Sequence, residues 1–119
     1  MGKTPFPFEN NSFDCVYARL SLHYFSDRVT WNIIKDVHRI LNQDGLLLFV
    51  CKSLEDSLYG KGTKIEKDVY ELNDHIRHFF SKDYAKDLLK NRFKFLLLKS
   101  GQEDFYGEKS GYVKVVAKK

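Results

Sequence analysis

The side chains that could do chemistry in this sequence of 119 residues are histidines and arginines in two short stretches. Arg19 and His23 lie in the first stretch, and His75, Arg77 and His78 lie in the second. An imidazole can act as a general base or bind a metal, and a guanidinium can bind a carboxylate or phosphate through two parallel hydrogen bonds. The sequence therefore contains candidate residues for ligand binding and proton transfer, but no nucleophile that is paired with a base.

The second stretch raises the question of a metal site. His75 and His78 are three residues apart and Asp74 lies beside them. A metal site needs three or four ligands in a fixed geometry, and no further cluster of cysteine or histidine supports these residues. We therefore expect no metal. Arg77 is compatible with two interpretations, a contact with an anionic group of a substrate or an ion pair at the surface.

The stretch Phe13–Ser53 positions Arg19 and His23, because it has the pattern of a strand, a helix and a second strand. The runs Phe13–Ala18 and Leu46–Cys51 are mostly apolar, as expected for a parallel sheet with helices on both faces. Apolar or small residues between them recur at three- and four-residue steps and predict one buried helix face: Thr30, Ile33, Ile34, Val37, Ile40 and Leu41. A right-handed β-α-β unit places the Ala18–Phe25 loop at the carboxyl edge of the sheet, where open α/β proteins bind ligands.

Local signals predict where this helix begins and ends. Ser26 can cap its first turn, and Asp27 suits the positive end of the helix dipole. The polar run Asn42–Gly45 follows the apolar pattern. We expect Gly45 to adopt a left-handed conformation and to end the helix there.

The segment Leu54–Ser81 has poor periodicity, and Gly60 and Gly62 predict a loop. A short amphipathic helix is one interpretation of the apolar spacing in its second half, at Ile65, Val69 and Leu72.

The last third of the chain predicts a helix and two strands. The helix begins at Ser81 and ends near Asn91, and the strands are Phe93–Leu98 and Tyr112–Ala117. The polar connection Ser100–Ser110 contains no helical pattern. We therefore expect the two strands to be antiparallel neighbours.

Composition excludes several classes of function. The net charge is +4, but the lysines are scattered, which favours a solvated surface over a nucleic-acid interface. No apolar run approaches the ~20 residues that span a bilayer, and Met1–Asn11 lacks the apolar region of a signal peptide. Cys15 and Cys51 lie in apolar runs, so we expect two buried thiols in a reducing cytoplasm.

Five segments in this order resemble one known family. Pro5–Asp14 is similar to an "LPF-x-DNSFD" segment, Tyr17–Phe25 to the loop after the next strand, and Val37–Leu47 to an "HRVLKPGGLL" passage. Tyr59–Gly62 and Asp74–Phe80 are similar to segments of an uncharacterised sub-branch. Together they resemble the carboxyl-terminal half of a class I S-adenosylmethionine-dependent methyltransferase, of the small-molecule, type 11-like group.

The resemblance implies an α/β fold that is part of a Rossmann-like methyltransferase sheet. Residues 1–119 would form a single domain containing strands four to seven, the last one antiparallel, with flanking helices. Members of the family hold the cofactor on a Gly-x-Gly-x-Gly turn and on acidic side chains, and these are not found in this sequence. We therefore expect a fragment that binds S-adenosylmethionine weakly or not at all and is inactive alone, and that methylates a small molecule only in its complete form.

The resemblance also assigns site residues. Those facing the cofactor are Ala18, Arg19, Leu20 and His23. Those of the substrate pocket are Tyr24, Tyr59, His75, Arg77 and His78. The alternative is that Leu20, Leu22 and Phe25 are core residues and His23 is structural. No catalytic residue is identified, although His23 or His75 could serve as a base for an oxygen or nitrogen acceptor.

A second class of function follows from the same resemblance. In the complete family the fourth strand pairs with the first, which this sequence does not provide. The strand Phe13–Ala18 would then be a bare sheet edge, which is prone to pair with another chain. The alternative function is a non-catalytic interaction module, a homo-oligomer or a partner of the missing amino-terminal half.

Overall fold

The computed structural model describes residues 3–105 and 108–119. A short 3-10 turn, Leu22–Tyr24, follows the first strand. The helices and strands in chain order are β1 (Phe13–Arg19), α1 (Asp27–Ile40), β2 (Leu41–Lys52), β3 (Thr63–Glu66), β4 (Val69–Leu72), β5 (His75–His78), α2 (Lys82–Leu89), β6 (Lys94–Phe105) and β7 (Glu108–Lys118).

The main sheet has four strands in the order β1-β2-β7-β6. β1 and β2 are parallel, with Val16 opposite Leu47 and Ala18 opposite Phe49. β7 is antiparallel to both of its neighbours. This arrangement confirms the predicted β-α-β unit and the predicted antiparallel last strand. The sheet ends at β1, which has one neighbour among the described strands.

Helix α1 begins and buries its apolar face as predicted. The Ser26 side chain accepts a hydrogen bond from the Val29 backbone N–H, and the residues predicted for its inner face are buried. The prediction for its end is wrong, because β2 begins at Leu41, directly after the helix. Asp44, with φ of 67°, holds the left-handed conformation. Gly45 is needed for space, since a Cβ there would lie 2.8 Å from the Asn42 carbonyl oxygen.

Both helices pack against the same face of the main sheet. The inward-pointing residues of the two central strands join residues of both helices in one apolar cluster. These strand residues are Leu41, Leu47, Phe49 and Cys51 of β2 and Val113, Val115 and Ala117 of β7. On the opposite face, Tyr17 is 60% exposed. The prediction of helices on both faces is therefore wrong for the part of the chain that the structure describes.

The two cysteines lie on different faces of this sheet. Cys51 is buried, as predicted, whereas Cys15 is exposed, so the prediction for Cys15 is wrong. Side chains alternate along a strand. Cys15 therefore points away from the face on which Val16 and Ala18 contact the core. Its apolar neighbours in sequence indicated burial, but no layer of the described residues covers that face.

A second sheet, β3-β4-β5, contains three short antiparallel strands. The amphipathic helix considered for this segment is therefore wrong. Asn73 and Asp74 join β4 to β5 with φ of 53° and 63°, a conformation that asparagine and aspartate tolerate and that suits a two-residue hairpin turn. The same dipeptide was the sequence signal that should have indicated strands.

The carboxyl-terminal elements agree in type with the prediction but differ in length. Ser81 caps α2 by accepting a hydrogen bond of 2.9 Å from the Tyr84 backbone N–H. β6 and β7 run far into the predicted polar connection, with Gln102 opposite Gly111. The tip of that connection, residues 106–107, lies outside the described residues. Backbone pairing extends these strands, because it does not require apolar side chains.

No helix of the described part of the chain is long and apolar enough to cross a membrane.

Candidate functional site

The carboxyl end of β1 forms one wall of a site. Leu20 donates its backbone N–H to the Val50 carbonyl over 2.8 Å, which turns the chain at the sheet edge. Its φ is 53°, in the left-handed region. Arg19 and Leu20 are exposed and line a cavity of about 130 Å³ on the uncovered face of the sheet, together with Tyr112 and Lys114.

The other two residues predicted to face the cofactor, Ala18 and His23, are buried in the core. His23 Nδ1 accepts a hydrogen bond from the Lys52 backbone N–H over 3.4 Å. Burial, with the cations of Lys52 and Arg77 nearby and Asp56 opposing, lowers the pKa of His23 to about 4. His23 is therefore neutral near pH 7, and its Nε2 has no hydrogen-bond partner among the described residues.

This edge does not enclose a nucleoside cofactor. Ligand pockets usually measure about 300–1,000 Å³, and the cavity beside Arg19 and Leu20 is about 130 Å³. The residues present would therefore supply only one side of a site for S-adenosylmethionine.

The residues predicted for the substrate pocket are partly brought together. Arg77, on β5, lies close enough to the imidazole of His23 to act on it electrostatically, and the ring of Tyr24 lies 4.4 Å from that of His23. Tyr59 donates its hydroxyl to Asp68 Oδ1 over 2.7 Å. His75 is exposed at the opposite end of β5 from His78.

His78 lines a cavity of about 450 Å³ that sequence reasoning missed. We call it the acidic cavity, because five carboxylates line it: Asp27, Glu66, Asp68, Asp83 and Asp87. Asp27 and Asp83 lie in the first turns of α1 and α2. Acidic residues at helix starts are a visible sequence signal, but only the tertiary structure brings these two starts and the β3–β4 turn together.

An apolar groove of about 540 Å³ runs along β1. We call it the edge groove and define it by Phe6, Phe8, Phe13, Cys15, Val16 and Ile40. Arg39 fixes the segment that forms its outer side, donating from Nη1 to the Phe8 carbonyl over 2.7 Å and from Nη2 to the Phe6 carbonyl over 3.1 Å. Asp36 accepts from Arg39 Nε over 2.7 Å and from the Phe6 backbone N–H.

Within residues 3–105 and 108–119, no group of three or more His, Cys, Asp or Glu side chains is arranged to hold a metal ion.

Comparison with known proteins identifies the fold. Residues 3–49 match the sequence model of a family described as a methyltransferase domain. A solved methyltransferase from Methanosarcina mazei, described as S-adenosylmethionine-dependent, superposes with a TM-score of 0.81 at 20% identity, covering 97% of this chain and 63% of that protein. No curated protein matches the sequence.

Two further structures extend the comparison. The 1,6-didemethyltoxoflavin-N1-methyltransferase of Burkholderia thailandensis, solved with 1,6-didemethyltoxoflavin and S-adenosylhomocysteine, has a TM-score of 0.70 at 17% identity, covering 92% of this chain and 45% of that protein. A possible histamine N-methyltransferase of Thermotoga maritima has a TM-score of 0.68 at 19% identity, covering 97% of this chain and 60% of that protein.

The chain therefore has the fold of the class I methyltransferases. It spans about half to two thirds of the length of these three relatives.

Proposed function

We propose that this chain is the carboxyl-terminal part of a cytoplasmic S-adenosylmethionine-dependent methyltransferase with a small-molecule acceptor, and that it is inactive without a cofactor-binding part. The observation that carries the proposal is the open edge of the main sheet at β1. Among the described residues, β1 is an edge strand, one face of the sheet is uncovered, and Arg19 and Leu20 supply a single wall at its carboxyl edge. The two cysteines are unpaired, which suits a reducing compartment.

The comparisons support this proposal through the fold. The same fold hosts unrelated functions, so the assignment of methyl transfer rests on the fold together with the partial match to the methyltransferase-domain family. One relative is described with a small heteroaromatic acceptor and the demethylated cofactor bound. By analogy, the complete protein would place a small molecule next to the loop after β1.

The contribution of this chain would be to position the acceptor. S-adenosylmethionine supplies an already activated methyl group, and most of the remaining task is alignment. Tyr24, Tyr59, Arg77 and His78 are our candidate acceptor-binding residues, because they lie around the turn after β1 and the second sheet. His75 stays a weaker candidate, because it is exposed away from them.

Calorimetry tests the proposal directly. We expect no measurable heat when the isolated, folded chain is titrated with S-adenosylmethionine, since no glycine turn or acidic ribose contact is provided. A Kd in the micromolar range would overturn the proposal. The coding DNA immediately upstream of Met1 provides an independent check, and we expect an in-frame Gly-x-Gly-x-Gly segment there.

One observation favours a second function, a non-catalytic interaction module. The free edge of β1 lies beside the edge groove of about 540 Å³, so unpaired backbone groups and apolar surface occur together. A second copy of the chain is the occupant we propose, because two such edges can pair with each other about a two-fold axis. A monodisperse monomer in light scattering at high concentration would contradict it.

A further inference from the structure

The acidic cavity has a charge opposite to that of the whole molecule. The chain carries a net charge of +4, yet five carboxylates and one lysine, Lys67, line this cavity. Like charges that are held close together repel one another. Such a cluster is stabilised when a cation enters it.

The carboxylates are bonded mainly to neutral donors. Asp27 Oδ1 accepts from the Trp31 indole over 3.0 Å and from the Tyr84 hydroxyl, and Glu66 accepts from the Asp27 backbone N–H over 2.8 Å. Neutral donors satisfy hydrogen bonds but leave the charge in place.

Ion pairing at the cavity is limited. Among the described residues, the one ion pair that involves its carboxylates is Lys90–Asp87, at 3.2 Å, and both of its side chains are exposed. Exposed pairs of this kind are weak. Most of the negative charge is therefore available to a ligand.

His78 provides an independent sign of a ligand. Its side chain is 2% exposed, lines the cavity, and its Nδ1 has no hydrogen-bond partner among the described residues. The Phe25 backbone interacts with the ring, and Nδ1 is the nitrogen without a partner; we therefore place the proton on Nε2 and a lone pair on Nδ1. A buried acceptor without a donor is costly, and a bound N–H group would satisfy it.

The wall next to His78 is aromatic. The Tyr84 ring lies 4.6 Å from the imidazole, and the hydrogen bond to Asp27 fixes its hydroxyl. Electron-rich ring faces attract cations. The cavity thus combines carboxylates, an aromatic face and an unpaired acceptor.

From these contacts we propose that the acidic cavity binds a small organic ammonium ion, which donates an N–H to His78 Nδ1 while the carboxylates neutralise its charge. The volume of about 450 Å³ lies within the usual range of about 300–1,000 Å³ for small-molecule sites. The proposal concerns binding alone and does not depend on methyl transfer.

The test uses n-butylammonium as the probe and the intact chain as the protein. Two-dimensional NMR at constant ionic strength should show saturable shifts for Asp27, His78 and Tyr84, with a change of the His78 Nδ1 resonance. Tetramethylammonium, which lacks an N–H, should bind at least about fivefold more weakly. Neutral n-butanol should cause no saturable shift at these residues. Equal binding of butylammonium and butanol would overturn the proposal.

Matched variants distinguish binding in the acidic cavity from a general effect of the charge of the protein. The double variant Asp83→Asn/Asp87→Asn removes two exposed carboxylates at α2 and should weaken butylammonium binding about tenfold. Asp74→Asn makes the same chemical change outside the cavity and should alter the Kd less than about twofold. His78→Phe removes the acceptor and keeps an aromatic ring, so it should abolish the preference for butylammonium over tetramethylammonium. An unchanged Kd in the double variant would show that the cavity is not the site.

Discussion

His23 is the residue whose ionisation the fold controls most clearly. Burial lowers its pKa from an ordinary 6.5 to about 4. Between these values the unfolded chain binds a proton that the folded chain does not. The resulting stability is complete above pH 6.5 and is lost as the pH falls toward 4.

We expect the free energy of unfolding to fall between pH 7 and pH 4.5 by about 2–3 kcal/mol on account of His23. The variant His23→Gln cannot titrate, so its unfolding free energy in urea should decrease less over the same interval. His75→Gln is the matched control, because that side chain is exposed, and it should keep the wild-type pH dependence. Equal losses in wild type and His23→Gln would contradict the assignment.

Arg39 is a second residue with a defined role. Its guanidinium holds the carbonyls of Phe6 and Phe8, and it pairs with Asp36, whose pKa is lowered chiefly by that hydrogen bond. Arg39→Gln should release the amino-terminal segment and speed proteolytic cleavage before Phe13 by about fivefold or more. Limited proteolysis with mass spectrometry measures this.

Arg28→Gln is the control for Arg39, because Arg28 is an exposed residue of the same helix. Cleavage rates that are the same in both variants would show that Arg39 does not hold the segment.

At the scale of elements, the second sheet depends on a close backbone approach at Gly62. Gly62 has φ of 91°, and a Cβ there would lie 2.1 Å from the Glu71 carbonyl oxygen, whereas Gly60 has φ of 81° with nothing nearby. Gly60→Ala should lower the free energy of unfolding by about 1–2 kcal/mol, because alanine is strained in the left-handed backbone conformation.

Gly62→Ala should lower the free energy of unfolding by at least about 1 kcal/mol more than Gly60→Ala. Both variants place alanine in a left-handed backbone conformation, but only Gly62→Ala adds a steric clash. Urea denaturation of both variants measures the difference. Costs that agree within error would mean that β3 and β4 do not approach as closely as the structure indicates.

The edge strand β1 makes the interaction-module alternative testable. Cys15 and Tyr17 are exposed on this strand. If two copies pair through it, Cys15→Lys/Tyr17→Lys should raise the dimer Kd at least about tenfold, because like charges then face each other. Sedimentation equilibrium provides the measurement. Leu96→Lys, on the exposed outer strand β6, should leave the Kd unchanged.

At the scale of the whole molecule, the chain is an α/β layer with helices on one side. β1 and the uncovered face form one continuous boundary of the described structure, and Arg19 and Leu20, two of the four residues predicted to face the cofactor, lie at that boundary. Ligands of open α/β sheets bind at strand ends. The boundary is therefore where a cofactor-binding part would have to contact this chain.

Local signals predicted the elements with a strong period or cap. The spacing of Ile33, Ile34 and Val37 predicted the buried face of α1, and Ser26 and Ser81 predicted two helix starts. The predictions failed where the type of secondary structure or the exposure of a residue depends on residues that are neighbours only in space. Apolar and polar residues alternate too weakly in the β3–β5 segment to distinguish strands from a helix. The exposure of Cys15 depends on whether another layer covers its face of the sheet, and the local sequence around Cys15 does not determine this.

The sequence by itself determined the β-α-β unit, the antiparallel last strand and the resemblance to a methyltransferase, because these follow from periodicity, capping and motif order along the chain. Only the tertiary structure decided which face is covered, why His23 is neutral, and that Asp27, Glu66 and Asp83 meet around His78. The physical reason is that burial and electrostatic potential depend on residues distant in sequence but close in space.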